Sequence, residues 1–127
     1  MAKILVIDDA KFLRTMVADG LSMFKHEVYQ AQDAQEALSI IKKLGDSLEV
    51  IVCDISMPGM NGLELAQVVK SFWNGIYIIL SAQSYGHHVK TAVNIGVDAF
   101  LAKPAKINKI NASIIEAQRK REAVIAQ

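Results

Sequence analysis

Val50-Ile51-Val52-Cys53-Asp54 sets four apolar residues in front of a carboxylate. A run with no polar face suits a strand covered on both sides, which is the state of strands in parallel sheets. Working outward, the design recurs. Upstream, Ile4 to Ile7 stops at Asp8-Asp9. Downstream, Ile76 to Leu80 stops at Ser81-Ala82, and Ala99 to Ala102 runs into Lys103-Pro104. Glu27 to Ala31 alternates weakly and reads as a further strand.

The stretches between these runs carry helical spacing. Phe12, Leu13, Met16, Val17, Leu21 and Phe24 read as one buried helix face. Asp33 followed by Glu36 resembles a capping box, with Ala37, Leu38, Ile41 and Leu44 behind it. After a loop at Pro58-Gly59-Met60-Asn61-Gly62, a helix through Leu65, Val68, Val69 and Phe72 ends near Trp73-Asn74-Gly75. His87 to Ile95 is helical up to Gly96, a C-cap residue, and a last helix runs from about Lys106 through Ile107, Ile110, Ile114 and Ile115. Five strands alternating with five helices predict an α/β, doubly wound, five-stranded parallel sheet, with right-handed crossovers narrowing the topology.

At 127 residues the chain fits one domain spanning 1–127. A net charge of +1 gives no sign of nucleic-acid or anionic-membrane binding, and no apolar stretch approaches the roughly 20 residues a membrane helix needs. Cys53 is the lone cysteine, so no intrachain disulfide forms and a reducing compartment is compatible. The strand-like start after Met1 leaves no room for a signal peptide, and the expectation is a cytoplasmic protein.

Ligands of open parallel sheets sit beyond the carboxyl ends of the strands. Those ends carry Asp8, Asp9, Asp54, Ser81 and Lys103. Three carboxylates repel one another, and a hard cation such as Mg²⁺ (or Mn²⁺) offsets them through oxygen ligands. Lys103 is a cation able to pair with phosphate, and Ser81 is a donor to a phosphoryl oxygen. Asp54, the single carboxylate centred among the strand ends, is the expected nucleophile and phosphoryl acceptor, while the adjacent Asp8 and Asp9 suit the cation. Taken alone, Asp8-Asp9 reads as a helix cap, Ser81 as a turn residue and Lys103 as a solvated lysine; together they read as one site.

Val6-Ile7-Asp8-Asp9, Asp54 to Gly62, Ser81-Ala82 and Lys103-Pro104 stand in order, each at a strand end, and across the whole chain the sequence resembles a response-regulator receiver domain of the single-domain chemotaxis layout. The resemblance implies a flavodoxin-like strand order of 2-1-3-4-5. It implies that Asp54 is phosphorylated by a histidine kinase or phosphotransfer protein, and that the chain catalyses only its own phosphorylation and dephosphorylation. Asp9 and Asp54 would ligate the cation directly, Asp8 through water, and Ser56 through its backbone carbonyl. Ser81, Lys103 and Phe100 would form the switch, and Pro104 would follow a cis peptide bond. The helix 4–strand 5–helix 5 face would then control a protein partner, as a monomer or a phosphorylation-dependent dimer. Ser56 and Gln83 sit where the family tunes phosphoryl lifetime.

Phe100 in place of tyrosine and Ala105 in place of a larger apolar residue depart from the common pattern. Phe100 also reads as plain core, Cys53 as inert packing, and His26, His87 and His88 as surface imidazoles without metal spacing. Lys106, Lys109, Arg119, Lys120 and Arg121 read as a solvated face, and the stretch Arg119 to Glu122 as exposed helix or the start of a linker in a larger regulator with an output domain. Three rivals are weighed by single features. An aspartyl-phosphate phosphatase wants a second Asp where Ser56 stands. A flavin carrier wants a Ser/Thr/Gly loop where Asp8-Asp9-Ala10-Lys11-Phe12 stands. An unphosphorylated interaction module has lost an acidic residue or Lys103, and none is lost here.

Overall fold

Four apolar runs, each closed by a polar residue, become strands, and the weakly alternating Glu27 to Ala31 becomes the fifth. The computed structural model describes residues 1–82 and 86–126. It contains β1 (Lys3–Ile7), α1 (Lys11–Ser22), β2 (Glu27–Ala31), α2 (Ala34–Leu44), a 3-10 turn at Gly45–Ser47, β3 (Val50–Asp54), α3 (Gly62–Val69), β4 (Ile76–Ser81), α4 (Gly86–Ile95), β5 (Ala99–Ala102) and α5 (Ile107–Ala126). The five strands are parallel in the order β2-β1-β3-β4-β5, a flavodoxin-like α/β sheet. The order reverses at β1, which pairs with both β2 and β3. No helix among the described residues is long and apolar enough to cross a membrane.

Alternation along the strands sorts the core into two layers. Leu5, Ile7, Ile51, Cys53, Tyr77 and Ile79 face α2, α3 and α4. Ile4, Val6, Val50, Val52, Ile78 and Leu80 face α1 and α5, against Ala18, Leu21, Ile110, Ile114 and Ala117. Each such aliphatic chain removed from water contributes about 1.5–3 kcal/mol, enough to fix the register, because a one-residue slip would exchange the layers.

The helices depart from their sequence reading in instructive ways. On α1 and the turn after it, Leu21 is buried, but Phe12 is 75 % exposed, Met16 51 % and Phe24 43 %. The buried stripe is the one through Val17, Ala18 and Leu21, while Phe12 and Met16 lie on the other side of the helix; Gly20, half-buried, marks where α5 comes close, since a Cβ there would fall 2.6 Å from Ile107. On α2, Asp33 accepts the Glu36 N–H at 2.8 Å, but the Glu36 carboxylate reaches the N–H of Gln32 (3.1 Å) rather than that of Asp33. The full reciprocal box forms on α3, between Asn61 and Glu64. Gly96 ends α4 at φ +92°, a conformation that favours glycine.

His26 is a half-buried link, not a surface imidazole. Its Nδ1 accepts the Ala2 N–H at 3.0 Å, so Nε2 carries the proton and donates to Asn111 Oδ1 at 2.7 Å. Arg121, expected in a solvated face, is tied down as well: it donates to the carbonyls of Asn74 and Gly75 and pairs with Asp98 at 3.2 Å.

Candidate functional site

Three strand ends and one loop assemble the site at the carboxyl edge. Asp8 leaves β1 with its N–H still in the ladder, donating to the Ala31 carbonyl at 3.1 Å. Its Oδ1 accepts the Ala10 N–H at 2.9 Å, and its Oδ2 lies 3.3 Å from Lys103 Nζ. Asp54 closes β3, and its Oδ1 lies 3.1 Å from the same Nζ. Asp9 is exposed. One oxygen from each of Asp8, Asp9 and Asp54 falls within 4.8 Å of the others. Two of the three carboxylates, Asp8 and Asp54, thus share one ammonium.

Lys103 reaches them because β5 ends beside β4: its N–H donates to the Ser81 carbonyl at 2.8 Å, and the Lys103–Pro104 peptide bond is cis. Ser81 is buried at the end of β4, and Phe100 is half-buried on β5 opposite Ile79, packed against the layer that faces α2, α3 and α4. Ser56 lies exposed in the loop after β3. Gln83 lies outside the described residues, as do the side chains of His87 and His88.

The electrostatics follow from burial and crowding. Burial pushes the Asp54 carboxyl up, the nearby Asp8 charge adds to this, and Lys103 with the Ser56 backbone N–H pulls the other way without cancelling it. Burial lowers the affinity of Lys103 for its proton, but hydrogen bonding and charge from Asp54 and Asp8 outweigh it, so Lys103 titrates above its ordinary value. Burial drives the Cys53 thiol up to about 12, and its S–H points at the Asp54 carbonyl 3.2 Å away; this thiol packs rather than reacts.

The backbone under Asp54 is held by a residue that reads in the sequence only as a turn glycine. Gly62 opens α3 with its N–H on the Ile55 carbonyl at 3.0 Å, and its own carbonyl accepts the buried Tyr77 hydroxyl at 2.9 Å. A Cβ at Gly62 would lie 2.5 Å from the Asp54 carbonyl oxygen. The helix can come this close to β3 only with glycine there. A second contributor, Arg14, escaped the sequence reading. Side chains on a helix lean toward its N-terminus, so an arginine in the second turn of α1 reaches back to the end of β1, where Nη1 donates to the Asp8 carbonyl at 2.7 Å.

The donor set, all oxygen and in negative excess over one lysine, fits a hard divalent cation and disfavours softer, thiolate-seeking metals.

The family model described as "Response regulator receiver domain" matches residues 4–115. A chemotaxis protein CheY of Listeria monocytogenes is 32% identical over 87% of this chain and 92% of that protein. A receiver domain protein of Clostridium thermocellum superimposes with a TM-score of 0.91 at 26% identity, covering 98% of this chain and 99% of that one. A Burkholderia pseudomallei response regulator, solved with a phosphorylated aspartic acid, calcium ion and citrate, superimposes with a TM-score of 0.82 at 26% identity, over 97% of this chain and 72% of that one. The chain spans about half the length of other curated relatives it matches, among them an uncharacterized transcriptional regulatory protein of Bacillus subtilis, 28% identical over 93% of this chain and 50% of that protein.

Proposed function

The chain belongs to the response regulator receiver domain family, and from that premise we propose that it is a phosphoacceptor switch in which Asp54 takes a phosphoryl group from the phosphohistidine of a histidine kinase or phosphotransfer protein. As a receiver it is a signalling switch rather than a conventional enzyme. The observation that carries the reading is the convergence of Asp8, Asp9 and Asp54 within 4.8 Å, with Lys103 3.1 Å from Asp54.

In the proposed step an Asp54 carboxylate oxygen attacks phosphorus in line, the P–N bond breaks, and the imidazole leaves with that electron pair. Asp8, Asp9 and Asp54, with the Ser56 backbone carbonyl, would hold Mg²⁺ or Mn²⁺, which neutralises charge on donor and acceptor oxygens when bound. Lys103 would pair with the new phosphoryl oxygens, and Ser81 would donate a hydrogen bond to one of them. Phe100, half-buried beside Ile79, would then change rotamer and reshape the α4–β5–α5 face for a protein partner.

Residues 1–127 would form the whole receiver, acting in the cytoplasm as a monomer or a phosphorylation-dependent dimer. The half-length match to a transcriptional regulator supports a second version, in which this receiver controls an output domain of a longer protein.

The test is intact mass after incubation with acetyl phosphate and Mg²⁺, with and without chelator, on wild type and Asp54→Asn. The expected result is gain of one phosphoryl group, lost with chelator and lost in the variant. Labelling of Asp54→Asn at the wild-type level would remove Asp54 as the acceptor.

A further inference from the structure

Of the three carboxylates, Asp9 is the one that no side-chain contact among the described residues holds. Asp8 is gripped by Ala10 and Lys103, and Asp54 by Lys103. The Asp9 carboxylate is exposed and makes no hydrogen bond or ion pair among the described residues. Its direction is therefore set by the backbone that bears it, the Asp8–Asp9 peptide. That peptide lies just beyond the β1–β2 ladder, whose last bond is the one from Asp8 N–H to Ala31.

The carbonyl of this peptide is held by Arg14. Nη1 donates to it at 2.7 Å, while Nε donates to the Gln30 side chain on β2 at 3.1 Å. Arg14 is half-buried and pairs with no carboxylate among the described residues, although an acidic cluster stands next to it. Its planar fork bridges two neutral oxygens, one on the edge strand and one at the end of β1.

We propose that Arg14, aligned by Gln30, is a positioning residue for the cation site: by fixing the Asp8–Asp9 peptide plane it aims the Asp9 carboxylate toward Asp8 and Asp54. This rests on the reading of the acidic cluster as a cation site. It deepens that reading, because it accounts for how an otherwise unheld ligand is pre-set, as outer partners of metal ligands do.

Positioning and plain electrostatics predict opposite signs. A guanidinium close to a divalent cation repels it, so deleting the charge alone would tighten cation binding. Loss of positioning weakens it, and removal of such outer partners typically costs about 10–100-fold in metal affinity.

The experiment is titration with Mn²⁺, followed by the resonance of the free aquo ion, on wild type, Arg14→Met, Arg14→Lys and Gln30→Leu, at a temperature where circular dichroism shows all to be folded. Arg14→Met is expected to weaken Mn²⁺ binding about tenfold. Arg14→Lys should recover part of the loss, since one ammonium reaches the carbonyl but cannot also align on Gln30. Gln30→Leu keeps the charge and should weaken binding in the same direction by a smaller factor. Equal or tighter binding in Arg14→Met, or unchanged binding in Gln30→Leu, overturns the proposal. Should Arg14→Met fail to fold, Gln30→Leu, altered at an exposed edge-strand position, decides alone. A wild type that binds no Mn²⁺ would instead overturn the cation-site reading itself, and the proposal with it.

Discussion

The two ends of the sheet hold the same chemistry in opposite balance. At the carboxyl end three aspartates face one lysine. At the amino end one aspartate, Asp98, faces two cations: Arg121 at 3.2 Å and Lys70 at 3.7 Å. The lysines record the difference. Lys103 is raised, because its two carboxylate partners outweigh burial. Lys70 is lowered, because burial, with Arg121 adding to it, outweighs the single Asp98.

Asp98 is also saturated, accepting the Tyr77 N–H at 2.9 Å as well as both cations. The amino end joins α3, β4, β5 and α5 into one anchored junction. The carboxyl end keeps an unmet negative charge. One end is balanced by folding, and the other keeps the excess charge that the proposed cation would offset.

Removing charge should therefore have opposite effects at the two ends. The largest change is expected for Asp98→Ala, which leaves Lys70 and Arg121 facing each other and frees the Tyr77 N–H. Urea unfolding should show a loss of about 2–3 kcal/mol, short of the full range for a buried pair because Arg121 is more than a third exposed. An unchanged midpoint would dissolve the contrast. Gly62→Ala tests the frame of the carboxyl end instead, since the new methyl meets the Asp54 carbonyl. A loss of about 1–3 kcal/mol is expected, with weaker Mn²⁺ binding at temperatures where the variant is folded.

Asp54→Asn should move stability the other way. Its raised carboxyl means that protonation favours the folded state, a contribution fully present below the ordinary value of 3.8 and lost as pH rises through the higher folded value. Without metal, the variant should match wild type in acid and exceed it near neutrality. Saturating Mg²⁺ should reverse the order by stabilising wild type alone. A pH-independent difference would count against the crowding. The smallest effect is expected on the outer face of α1, where Phe12→Ser should shift stability by less than about 0.5 kcal/mol; a large loss would show that Phe12 is core after all.

The sequence by itself determined the sheet and the content of the site. Runs such as Val50 to Cys53 are apolar on both faces, and a residue that closes a parallel strand must emerge at the carboxyl edge, so Asp8, Asp54, Ser81 and Lys103 were legible from position alone. Gly96 was legible for a similarly local reason, since a helix end at φ +92° favours a residue without a Cβ.

Only the tertiary structure decided which face of α1 is covered. Helical spacing defines a stripe, but the surface the helix packs on selects the one that is buried, and on α1 that is the stripe of Val17, Ala18 and Leu21 against the sheet. Likewise Arg121 and His26 looked like surface residues, and Arg14 drew no reading at all, because their partners are distant in the chain or are backbone oxygens and N–H groups, which carry no sequence label. Long polar side chains find their roles only after the chain has brought an unpaired backbone group within reach.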